Sequence, residues 1–146
     1  MDINDYLITE DGQIAAIAAA ARRVAVLGIK PETHRSQPAH YVPAYLAGVG
    51  IEIIPIPVYY PDVTELLGFP VVRDLRSITG RVDIVDVFRR SEDIDDHDED
   101  LNALKPDTVW YQSGIRNDAA ARRLAAAGIQ VIQDRCLMVE HRSAQF

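Results

Sequence analysis

Five cations, Lys30, Arg35, Arg89, Arg90 and Arg116, stand in segments that directly follow short apolar runs, alongside Ser36 and the turn Gln112-Ser113-Gly114-Ile115. Ammonium and guanidinium groups beside small, hydroxyl-bearing turns suit oxygen-rich anions, phosphate above all, because charge-assisted hydrogen bonds are short and strong. The first such segment begins where Val24-Ala25-Val26-Leu27 meets Gly28. That run is β-branched-rich and uninterrupted, as in a strand buried on both faces, and Gly28 follows where the backbone must turn tightly. Ile29 and Lys30 then lead through Pro31 and His34 to Arg35 and Ser36-Gln37-Pro38, a cap-like residue with proline behind it. A helix starting there presents free N–H groups and a positive dipole end, so residues 28–37 form a candidate anion site.

The remaining elements alternate. Residues 10–21 read as an alanine-rich helix with Ile14, Ile17, Ala18 and Ala21 at helical spacing. A helix is expected over about 38–48, with Pro43 as an irregularity that either delays its start to Val42 or kinks its first turn. Strands are expected at 51–56, 70–73, 82–88, 107–111 and 130–132, with a helical turn at 64–68 and a short helix from 74 to 79 capped by Asp74. Ser91 is expected to cap a helix to about 104, Asn117 or Asp118 one to 127, and a last helix covers 135–144. Alternation of this kind is satisfied by one three-layer α/β domain over residues 1–146, with a mainly parallel sheet of about five to six strands.

The chain has 146 residues and a net charge of −7, yet seven of its carboxylates lie between Glu92 and Asp100. Without them 15 acidic residues face 15 basic ones, so the rest of the domain is formally neutral. A nucleic-acid binder would carry a basic stripe, and none is visible. The acidic start Met1-Asp2-Ile3-Asn4-Asp5 and the absence of a spanning apolar run predict neither secretion nor membrane insertion, and the lone Cys136 suits a reducing cytoplasm.

Ligands of open parallel sheets bind beyond the carboxyl ends of the strands, where the strand order reverses. Collecting the strand-end loops gives Gly28, Ile29, Lys30, Arg35 and Ser36 after the first strand and Pro57 to Tyr60 after the second. Phe88, Arg89 and Arg90 follow the strand at 82–88, and Gln112, Ser113, Gly114 and Ile115 follow that at 107–111. This set suits a ligand with several phosphates and an aromatic ring. An ordinary dinucleotide site fits poorly, because only Gly28 of the G-x-G-x-x-G pattern is present and prolines and tyrosines replace the acidic residue that would hold the ribose of NAD.

Seven ordered segments carry a resemblance: Val24 to Gly28, Arg35-Ser36, Val42 to Leu46, Val85 to Arg89, Val109 to Ile115, Asn117 to Ala120 and Asp134 to Leu137. Together they resemble the small stand-alone coenzyme A-binding proteins, whose domain is similar to the N-terminal domain of the succinyl-CoA synthetase α subunit. The resemblance implies a Rossmann-like fold and a coenzyme A (CoA) or short acyl-CoA ligand. Its diphosphate would meet Gly28, Lys30, Arg35 and Ser36, its adenine the loops after the second and fourth strands, and its pantetheine arm Gly114 and Ile115. Lys30 departs from the serine usual in that family, and Pro55-Ile56-Pro57-Val58 departs from its Pro-Val-Asn-Pro; Tyr59 or Tyr60 is an alternative stacking surface for adenine.

Each residue also has a plainer role: solvated loop cation, turn former, or, for Cys136, small buried hydrophobe. No nucleophile stands beside a base in a recognisable motif, which favours binding without catalysis. The competing readings are an NAD(P)-binding oxidoreductase-like protein and an interaction module whose acidic helix docks a basic partner.

Overall fold

In a computed structural model, which describes residues 1–145, five parallel strands form the central sheet: β1 (Arg23–Leu27), β2 (Glu52–Ile56), β5 (Ile84–Val87), β6 (Thr108–Tyr111) and β7 (Gln130–Ile132). Their order is β2-β1-β5-β6-β7, so the chain runs outward from β1 to β2 and then returns to the other side of β1. The strand order therefore reverses between β1 and β5. Every residue of β5 and β6 is buried, as expected of strands covered on both faces.

Alternate residues divide into two cores. Ala25, Leu27, Val85, Val87, Val109 and Tyr111 pack beneath α3 (Asp98–Leu104) and α4 (Asp118–Ala126). Val24, Val26, Ile84, Trp110 and Ile132 pack beneath α1 (Asp11–Ala20), α2 (Pro38–Gly48) and α5 (Leu137–Ser143). Each of the buried valines, leucines and isoleucines contributes roughly 1.5–3 kcal/mol by leaving water. Asp74 and Asn117 cap as expected, accepting from the amides of Arg76 and Ala120.

Three expectations need correction. Residues 64–73 hold neither a helical turn nor a sheet strand but a hairpin of β3 (Glu65–Leu66) and β4 (Phe69–Pro70). Leu67 and Gly68, at φ 56° and 84°, form its turn, and two-residue strands are too short to show a period. Val71 donates to Thr64 across this hairpin, and Val72 then donates to Pro55 at the outer edge of β2, the bond that ties the expected 70–73 strand to the central sheet. Second, Ser91 opens a 3-10 segment, Ser91–His97, and α3 begins only at Asp98; the Ser91 hydroxyl accepts from the Arg116 amide instead of capping. Third, the Pro43 irregularity neither delays nor divides α2, which runs from Pro38 with Gln37 as its uncapped N-cap residue and Ser36 one position earlier.

Two features of the switch point invite measurement. Gly28 lies at φ +90°, and a Cβ there would run into the Phe88 carbonyl oxygen, so the ends of β1 and β5 approach as closely as only glycine permits. Gly28→Ala is expected to cost about 2–4 kcal/mol, from the left-handed backbone and the forced separation of the two loops, in urea denaturation.

Asp86, between Val26 and Trp110 in register, is wholly buried with both carboxyl oxygens unpartnered, and burial pushes its pKa well above the usual 3.8. The native chain therefore keeps a proton that the unfolded chain releases. Stability from this group is greatest below about pH 4 and declines as pH rises towards the native value, by at most about 1.4 kcal/mol per pH unit. Asp86→Asn has no charge to form, so its melting temperature is expected to gain on the wild type as the pH rises from about 4 towards the raised native value. A pH-independent difference would show that Asp86 does not carry the linkage.

Candidate functional site

The groove at the carboxyl edge has two compartments that meet at Lys30, Phe88, Arg89 and Arg90. The smaller, about 270 Å³, is completed by Gly28, Ile29, Val58, Tyr59 and Tyr60. The larger, about 680 Å³, extends over the β6 loop to the N-terminal ends of α2 and α5. The shared residues stand on both sides of the switch point, at the ends of β1 and β5.

Lys30 owes its position to a proline. Pro43 has no N–H to donate to the Ala39 carbonyl four residues earlier, and that carbonyl instead accepts from the Lys30 amide at 3.1 Å. The Lys30 carbonyl is met in turn by His40 Nδ1 at 3.0 Å, and Lys30 Nζ donates to Gln37 Oε1 at 2.6 Å. The loop is thus bound to the first turn of α2 at both backbone groups. Gly28 N–H donates to Ile56 and Phe88 N–H to Leu27, which prolongs the parallel ladder into the loops and leaves those amides engaged.

The other two cations have acidic company. Arg90 Nε donates to Asp93 at 2.9 Å, and Arg89 lies 3.8 Å from the same carboxylate. Arg89 Nε also donates to His97 Nε2 at 3.3 Å; burial and this guanidinium hold His97 below its ordinary pKa, consistent with a neutral acceptor. Among the described groove cations only Lys30 has no acidic partner. Most of the acidic run is similarly engaged: Asp95 and Asp98 with Arg123, Glu99 and Asp100 with Arg76, Glu92 with Arg90.

The wall of the small compartment is held from behind. Arg73, which has no counterpart among the expected site residues, donates to the carbonyls of Pro57, Tyr59, Tyr60 and Val63 at 2.7–3.3 Å. Tyr60, at φ 64°, meets His34 edge to face with centroids 5.5 Å apart, while Tyr59 remains 65% exposed. On the opposite wall Gln112 Oε1 accepts from Leu137 N–H at the start of α5, and Gly114, at φ +82°, donates to Asp134.

The structure brings together Gly28, Ile29, Lys30, Phe88, Arg89, Arg90, Gln112, Ser113, Gly114 and Ile115. Arg35 and Ser36 are exposed and lie outside both compartments, and Pro57 lines a separate cleft of about 230 Å³ with Arg73, His97 and Asp100. Arg116 turns to Asp118, outside the groove. Sequence reasoning left out Tyr41 of α2 and Cys136, Met138 and Val139 at the start of α5. The rule that collected the other loops also covers the end of β7, where it reaches Cys136; Met138 and Val139 lie within α5 and fall outside it.

Comparison with known proteins places this geometry. A family model described as CoA binding domain matches residues 22–142. The Bacillus subtilis protein YneT is 35% identical over 129 residues, 88% of this chain and 92% of its own length. A solved Thermus thermophilus protein, cell-free ID.343, is 40% identical with a TM-score of 0.83, covering 93% of this chain and 99% of that one. The acetyl-coenzyme A synthetase 1 of Ca. Korarchaeum cryptofilum shares the fold over 75% of this chain and 25% of its own, at 17% identity and a TM-score of 0.60. With its reversed strand order, bipartite groove and this match over most of its length, the chain belongs to the CoA binding domain family.

Proposed function

We propose that the chain binds CoA along the groove, with the diphosphate at Lys30, the nucleotide end in the small compartment and the pantetheine arm in the large one. The observation that carries this reading is Lys30, which lines both compartments and has no anionic partner of its own. An ammonium at the junction of two unequal cavities matches a ligand whose negative charge lies between a flat base and a narrow polar arm. Arg89 and Arg90 add positive potential, moderated by Asp93. Tyr59 offers an exposed ring beside the small compartment, and Ser113 and the Gln112 amide offer polar contacts to the arm. Among the described residues neither compartment is lined by aspartate, glutamate or histidine, and the reading we advance is one of binding.

Calorimetric titration with CoA tests it. Lys30→Ala is expected to weaken binding about 10- to 100-fold, the loss of one charge-assisted contact to phosphate, and to make affinity less sensitive to salt. Arg35→Ala, outside both compartments, is expected to cost less. Absence of CoA binding by the wild-type chain, or unchanged affinity in Lys30→Ala, overturns the assignment.

A further inference from the structure

Charge is distributed unevenly along the groove. All the charged side chains of the large compartment, Lys30, Arg89 and Arg90, belong to its junction with the small one. Beyond that junction its described lining carries no formal charge. Its far wall is built from Tyr41 and Pro38 of α2 and from Cys136, Met138 and Val139 at the start of α5. Tyr41 and Val139, 40% and 42% exposed, line the same wall; one exposed apolar side chain is ordinary, but two facing one groove form the contiguous kind of patch that marks a ligand site. The two helices pack against each other, so this apolar wall is continuous across the boundary between them.

From this segregation we infer that the resident ligand is an acyl-CoA whose apolar acyl chain lies between Tyr41 and Val139. This rests on the CoA reading above and specifies its substrate class. A ligand anchored by phosphate at Lys30 and running past Gln112 and Ser113 carries its sulfur end towards the uncharged wall. An apolar chain there covers Tyr41 and Val139 and removes its own methylenes from water. Met138, unbranched and polarisable, adapts its shape to chains of different length. A chain ending in a carboxylate finds no cation at this end.

The test is the slope of affinity against chain length, measured by calorimetry with free CoA and with its unbranched two-, four-, six- and eight-carbon acyl thioesters. Each added methylene is expected to tighten binding about threefold to fourfold until the wall is covered, as for transfer of one CH₂ from water. A four-carbon acyl chain ending in a carboxylate is expected to bind more weakly than its methyl-ended counterpart. Val139→Asp, at an exposed position where folding is not at risk, is expected to flatten the slope. Binding of CoA with affinity independent of chain length overturns the acyl assignment and leaves the CoA reading standing. Failure to bind CoA or any thioester overturns both. Sedimentation of the free chain supplies the remaining outcome: a dimer that Val139→Asp dissociates and acyl thioesters do not overturns the inference, because the apolar wall then belongs to a second copy.

Discussion

A proline inside a helix sets free the acceptor on which the groove is built. Because Pro43 cannot donate, the Ala39 carbonyl binds the Lys30 amide, and the loop after β1 is attached to α2 rather than left to solvent. The same loop passes Phe88 at a distance only Gly28 allows, which fixes it against the end of β5 as well. Lys30 is therefore positioned by main-chain contacts with two elements, and the bond lost to an interior proline is replaced by one that places Lys30 at the groove's junction. The groove's junction, its two compartments and their shared lining follow from that placement.

The electrostatics of the molecule are local. A net charge of −7 would argue against a polyanionic ligand if charge acted as a sum, but most of the acidic run is bonded to arginines from neighbouring elements. Exposed pairs of this kind contribute little stability individually. Their effect here is to hold the 3-10 segment and α3 against α4 while leaving the groove, among the described residues, lined by three cations and no anion. Arg89 and Arg90 share Asp93 at the groove's border, so their potential reaches a ligand in weakened form, and Lys30 supplies the uncompensated charge.

Most of the architecture was legible because it depends on patterns within one segment. Val24 to Leu27 and Ile84 to Val87 are runs whose burial on both faces follows from composition, and Asp74 and Asn117 cap where a short polar side chain precedes a helix. Relations between segments were not legible. Nothing near Pro43 says that its missing donor would be replaced by Lys30, and nothing near Arg35 says that the chain turns it outward while turning Lys30 in. The hairpin at Glu65–Pro70 escaped because two residues per strand carry no period. The α5 wall escaped for a different reason, since Met138 and Val139 lie inside a helix, beyond the loop that follows the last strand.

Arg73 illustrates where the information for a binding surface can reside. One guanidinium gathers four carbonyls from a loop rich in proline and tyrosine and gives that loop a single shape, although the arginine itself faces the neighbouring cleft. Lysine has too few directed donors to replace it. The contour of the small compartment is thus written at a position outside it, so the shape this groove offers is open to revision from behind, with every lining residue unaltered.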